Sequence, residues 1–359
     1  MKFIFQLFKL RNLYNFFLLT ALVNIFFSTG NSLAKTFPVN DIEISTPFEM
    51  NFNKNEIIDE GFVYAFNELV LSIVQSKDQK KLKNTPINKI KGLVETFSIK
   101  EEKFIDQIYY LNLNVSFNKK SVLDLLESKR IFPSLPIKKD FLLIPLIVDE
   151  NKNQVSMFSE NILFKNWNVN KKRFSLLNYI LPSEDIEDFN LIKNNIKNLE
   201  NYNFEEIINK YDINDHIIII VFKNDQKIRV FNKISLNQQE SLKNFNFDKI
   251  DFENVKDVNK FIENIKIFYE DFWKSQNEIN TSVKLSLNIS IDNSNNTNVK
   301  KFEQILSEMD QIYNFYIYKF DNKNNFYKII FNGSPDKFLE IMGNKKYVFE
   351  IKNKIWILK

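Results

Sequence analysis

The sequence predicts an α/β chain of the α+β kind: two α/β domains followed by a C-terminal ferredoxin-like β-α-β-β-α-β unit. Three observations lead there. Apolar residues recur at three- and four-residue spacing through Phe62, Ala65, Phe66, Leu69 and Ile73, and again from Val255 to Trp273, which puts them on one helix face. Strict apolar/polar alternation marks Leu111 to Phe117 and Val283 to Ile291 as half-buried strands. The stretch 281–359 then reads strand, helix, strand, strand, helix, strand.

The elements follow in order. Phe37 to Ile44 reads as a short strand and Glu56 to Val74 as a helix. Pro86 suits a helix start, with Ile87, Ile90 and Val94 continuing the apolar face. The strand ending at Phe117 leads into a helix from Ser121 to Glu127, which Ser121 can cap. Phe141 to Val148 is a buried strand in which Pro145 demands an edge position or a bulge. This closes an N-terminal α/β domain, residues 35–150.

The middle α/β domain, 151–280, opens with a loop around Trp167 and a short helix from Phe204 to Lys210. His216 to Phe222 is an unbroken apolar strand, Asn224-Asp225-Gln226 a turn, and Lys227 to Ile234 the return strand. The long helix ending near Trp273 closes it. In 281–359, the helix with Phe302, Ile305, Leu306 and Met309 follows the first strand. Two strands around Asn322-Lys323-Asn324 come next. Ser334 caps a helix that starts at Pro335 and stops by Gly343, and Tyr347 to Leu358 supplies a last strand or hairpin.

Residues 1–34 read as a secretory leader. Lys2, Lys9 and Arg11 are basic, Phe16 to Phe27 is apolar apart from Thr20 and Asn24, and Ser32-Leu33-Ala34 offers small residues for cleavage between Ala34 and Lys35. The alternative is an uncleaved N-terminal anchor over residues 13 to 29, although the apolar run is shorter than the roughly 20 residues of a spanning helix. The expected compartment is the periplasm, with the inner membrane as the alternative. Membrane contact is expected only if the leader is kept. A lipoprotein is excluded, because the chain has no cysteine to acylate.

The 359-residue chain has a formal charge of +4. Three of its 49 basic residues lie in the leader, so the remainder carries 46 against 45 acids, a net +1. Such a body has no electrostatic reason to bind nucleic acid or anionic lipid. Without cysteine there are no disulfides, thiolate metal sites or cysteine nucleophiles. The 37 phenylalanines and 44% hydrophobic content must therefore hold the fold. Abundant Asn, Lys, Ile and Phe also fit the codon bias of a low-GC bacterium, which makes a single Asn or Lys uninformative.

No residue set demands a reaction. His216 is the one histidine and begins a run of isoleucines, a structural position. No nucleophile elbow accompanies it, and zinc wants several His or Cys ligands. No phosphate-binding glycine loop occurs, and the ribonucleoprotein signature is missing from the C-terminal aromatics. The densest acidic run is Pro182-Ser183-Glu184-Asp185-Ile186-Glu187-Asp188. Paired carboxylates could hydrolyse glycans or hold Ca²⁺. The simpler reading is a helix start, with Ser183 as cap and acids meeting the positive end of the dipole. No catalytic, cofactor-binding or metal-binding residue is therefore expected.

The order of these features resembles an exported bacterial family known only as domain of unknown function 2066. The resemblance rests on the helix Gly61 to Val74 with Ala65 and Leu69, the strand Tyr110 to Phe117, and Leu135-Pro136 ahead of Phe141 to Asp149. Pro182, Asp185 and Asp188 match a Pro-x-x-Asp-x-x-Asp segment. Tyr211, Ile217 to Val221 and the helix carrying Trp273 complete it. Phe117-Asn118 and Leu135-Pro136 stand where that family often has Phe-Asp and Arg-Pro. The middle part is also similar to α/β domains of envelope accessory proteins, such as the N-terminal domain of the Tol-system propeller protein, a likeness of fold alone. The resemblance implies export and this fold, and no reaction. The expected function is a non-enzymatic periplasmic accessory protein that binds another envelope component. The rivals are an envelope-glycan hydrolase using Asp185 and Asp188, and an anchored scaffold.

Overall fold

The computed structural model describes residues 35–224, 227–247, 250–279, 283–352 and 354–358. The leader, and so the cleavage expected after Ala34, lies outside them. The architecture is α+β, with three sheets.

The first sheet has the order β1-β3-β2, with β1 Thr36–Pro47, β2 Val94–Ile105 and β3 Ile108–Asn118, all antiparallel. One face is covered by α1, Lys54–Ile73, whose Phe62, Ala65, Phe66, Leu69 and Ile73 join Leu111, Leu113, Val115 and Phe117 in one core. Gly61 permits this approach: a Cβ there would come within 2.4 Å of Leu113 Cδ1 and 3.0 Å of Ile44 Cδ1. Two short helices, α2 Ser76–Gln79 and α3 Ile87–Lys91, lead into β2. Val94 thus opens a strand instead of continuing a helix. The helix after β3, α4 Lys119–Ser128, starts two residues before the expected Ser121. Asn118 is its cap, accepting from Ser121 N at 2.9 Å.

The second sheet contains β4 Lys139–Asp149, β5 Gln154–Ser156, β6 Leu177–Ile180, β7 His216–Lys223, β8 Ile228–Leu236 and β9 Gln239–Phe247. The order is β5-β4-β7-β8-β9, with β6 also on β4. The expected domain boundary at residue 150 is therefore misplaced. β4 runs parallel to β7 from Leu142↔His216 to Asp149↔Lys223 and belongs to the middle sheet. Both faces of β4 and β7 are covered, which is why they read as unbroken apolar runs. One face meets α5, Ile162–Asn166, the buried Trp167, and α8, Val255–Gln276. The other meets α6, Ile186–Asn194, and α7, Glu205–Ile208.

Pro145 sits where β4 needs no donor. β6 pairs with Lys139 to Leu142 and β5 with Ile147 to Asp149, leaving a gap between them. Asn161 Nδ2 fills it, donating to Pro145 O at 2.9 Å. N and C=O of one strand residue point to the same side, so the missing N–H faces that gap.

The third sheet holds β10 Lys284–Asp292, β11 Ile312–Phe320, β12 Asn324–Asn332, β13 Phe349–Lys352 and β14 Ile355–Leu358, in the order β11-β12-β10-β14-β13. Helices α9, Asn296–Glu308, and α10, Pro335–Asn344, cover one face. Ser334 caps α10 as expected. The β-α-β-β-α-β order holds with one modification. The strand following α10 is β13, on the outside, and β14 turns back to lie parallel to β10. Val283, expected on the buried face, is exposed, and burial begins at Leu287.

Candidate functional site

The Pro182–Asp188 segment is a helix start. Asp185, not Ser183, caps α6, accepting from Glu187 N at 2.8 Å and Asp188 N at 3.3 Å. Ser183 N instead donates to the Tyr211 hydroxyl at 2.7 Å. Asp188 is buried, and Lys210 Nζ bridges Asp185 at 2.7 Å and Asp188 at 2.6 Å. The Lys210 hydrogen bond, then the two amide N–H groups, hold the Asp185 carboxyl below its usual range. Lys210 is correspondingly raised, first by Asp185 and then by Asp188. The structure thus brings together two residues singled out in the sequence, with their counter-ion already supplied. Among the described residues no group of three or more His, Cys, Asp or Glu side chains could hold a metal ion.

A capping role fixes the sign of a pH effect. Asp185→Ala should lower the melting temperature by a few degrees, the usual scale of a lost cap. Because the folded-state pKa is depressed, this contribution is present above the ordinary value of 3.8 and is lost as pH falls through the folded value. The Asp185→Ala deficit should therefore disappear in strong acid. Thermal melts at neutral and acidic pH check this, and an equal deficit at both would refute it.

His216 stands at the start of β7, its Nδ1 3.1 Å from Asn214 O. Burial lowers its pKa. No paired nucleophile was expected there, and this contact is to backbone.

Two charges on α8, the buried Lys274 and the half-buried Asp271, join the first two sheets. Lys274 Nζ donates to Leu71 O at 2.6 Å and Val74 O at 3.1 Å, meeting carbonyls at the end of α1. Asp271 accepts from Ser76 N at 2.8 Å at the start of α2. Glu270 accepts from Leu176 N and Leu177 N, each at 3.0 Å. Burial raises the Glu270 pKa and lowers that of Lys274. A cavity of about 160 Å³ lies beside them, lined by Lys266, Glu270, Lys274, Phe174 and Gln79 among others. The charged α8 groups lining it already have partners: Lys266 donates to Trp167 O and Glu263 pairs with Lys172, beside the backbone contacts of Glu270, Asp271 and Lys274. Lys274 and Asp271 fasten the first two units together, and Glu270 and Lys266 act within the second.

The surface without such internal employment is at the sheet edges. β11 is an outermost strand, and no strand among the described residues lies on its outer side. From Tyr316 to Phe320 every residue is exposed. Tyr316, Ile317, Tyr318 and Phe320 are 48%, 44%, 45% and 78% exposed. A register shift between Ile317 and Lys319 explains why apolar residues are exposed consecutively. Lys319 Nζ lies 5.2 Å from the Phe326 ring centroid. The sequence showed this strand but not its edge position; the run Phe315-Tyr316-Ile317-Tyr318, apolar without alternation, was the available signal.

Compared with models of known families and with curated proteins, the sequence matches none. One similar solved structure, described as "Crystal structure of uncharacterized protein", is 8% identical, covers 40% of this chain and 95% of its own, and has a TM-score of 0.16. That likeness carries no argument.

Proposed function

We propose that the chain is an exported, non-enzymatic bacterial envelope protein that works by binding another envelope protein, and that the outer edge of β11 is its docking strand. The observation that carries this reading is the run Tyr316 to Phe320. Four large apolar side chains stand exposed on an edge strand whose outer backbone groups have no neighbouring strand among the described residues. An extended partner segment can add there through main-chain hydrogen bonds, with the aromatics gripping alternate side chains. Exposed edges of this kind are liabilities that proteins normally blunt. Export to the periplasm rests on the leader, and the resemblance to domain of unknown function 2066 points to the same location. The glycan-hydrolase reading needs Asp185 and Asp188 free to face a substrate, whereas both hold Lys210.

Tyr316→Lys with Phe320→Lys tests the docking edge. The pair should abolish co-purification of the envelope partner while leaving the melting curve unchanged, since both side chains are exposed. Undiminished capture of the same partner would refute the docking edge. N-terminal sequencing of the purified protein should read Lys35-Thr36-Phe37; a retained leader would favour the anchored scaffold.

A further inference from the structure

β2 is another outermost strand, and its residues favour a different occupant. Every residue from Glu95 to Ile105 is exposed, and no strand among the described residues lies on its outer side. Opposed residues share a sheet face. Phe97 and Ile99 oppose Val115 and Leu113, and Glu102 and Phe104 oppose Leu111 and Tyr109, so all four lie on the helix-covered face. Ser98, Glu101 and Lys103 oppose Asn114, Asn112 and Tyr110 and lie on the open face. Lys100 is the extra residue at the register shift between Ile99 and Glu101.

We propose that β2 pairs antiparallel with β2 of a second copy of this chain, about a two-fold axis between Lys100 and Glu101. Two three-stranded sheets then become one of six strands. In this register Lys100 lies across from Glu101 of the copy, and the symmetry makes the pair twice. Phe97 falls across from Phe104, Ser98 across from Lys103, and Ile99 across from Glu102. The last three pairings join residues of like face. Sliding by one residue places Lys100 on Lys100 or Glu101 on Glu101 at the axis. Sliding by two places either Lys100 on Lys103 with Glu101 on Glu102, or Glu102 on Phe97. Directly opposed like charges destabilise a sheet, which disfavours three of these alternatives; the one with Glu102 on Phe97 sets Lys100 against Ile99 and forms no opposite-charge pair, so the proposed register is the one that makes the Lys100–Glu101 pair. Within one copy Lys100 pairs with Asp41 and Glu101 with Lys103, so the gain lies mainly in choice of register. The proposal is independent of the β11 docking edge, which is on another sheet.

The test is the mass of the purified chain in solution by light scattering across a dilution series. Twice the chain mass is expected. Lys100→Glu should weaken the dimer about tenfold or more, because both cross-axis pairs turn from attractive to repulsive. Glu101→Lys should do the same. Lys100→Glu combined with Glu101→Lys should restore it. Ser98→Cys with Lys103→Cys should yield a covalent dimer under oxidation, without background from a chain that has no other cysteine. A monomer at every concentration overturns the proposal. So does a dimer indifferent to the charge exchanges, or one in which the double exchange fails to rescue.

Discussion

Leu287→Asp should unfold the C-terminal sheet, while the neighbouring Asn288→Asp should leave it intact. Leu287 is 4% exposed and packs in the cluster of Phe302, Leu306, Phe331 and Phe338. It lies opposite the fully buried Ile329 on β12. Burying a leucine contributes about 1.5–3 kcal/mol, and an unpaired buried carboxylate costs several more. Together these rival the whole stability of a small unit. Asn288 points to the other face, opposite Lys328, where an added carboxylate meets a cation. Circular dichroism melts and limited proteolysis of the full chain would show an early transition, with cleavage confined to 283–358, for Leu287→Asp alone. Equal melting of the two variants would mean that the register of β10 is wrong.

Asn161→Ala should be the most damaging single truncation of a polar side chain in the middle sheet. Asn161 is fully buried. Its Nδ2 donates to Pro145 O at 2.9 Å and Ser156 O at 3.3 Å, and its Oδ1 accepts from Leu163 N at 2.8 Å, capping α5. One side chain thus stands in for the strand missing beside Pro145. Its loss leaves two acceptors and a donor unsatisfied away from water, a cost of roughly 3–5 kcal/mol. Asn161→Asp keeps the cap acceptor but loses the donor, and should be no better than alanine. Asn53, the exposed cap of α1, offers the contrast: Asn53→Asp keeps the cap, loses only a solvent-exposed hydrogen bond to Glu56 and should cost far less. Denaturant unfolding of the three variants checks the order. Rescue by Asn161→Asp would show that only the cap matters.

The elements legible in the sequence have one wet and one buried face or, like β4 and β7, two buried faces. α1, α8, β3 and most of β10 carry a period that their burial enforces. β2 and β9 escaped because edge strands bury little and leave no alternation. Register shifts in β2 broke what pattern remained. Sheet membership was also hidden. Nothing local in Phe141 to Val148 says that its neighbour is His216 to Lys223 instead of the preceding strand. The α6 start was legible as acids at a helix N-terminus, but not which oxygen caps it. Asp185 reaches the Glu187 and Asp188 amides because Lys210, distant in sequence, holds its other oxygen.

The central claim is that β11 engages a partner in the envelope. The most direct measurement places a photo-crosslinking amino acid at Tyr318 in growing cells, with Tyr64 on the exposed side of α1 as the comparison. The account predicts one discrete adduct from position 318, absent from position 64 and lost with Tyr316→Lys and Phe320→Lys. Adducts from both positions alike, or none from position 318, would contradict it.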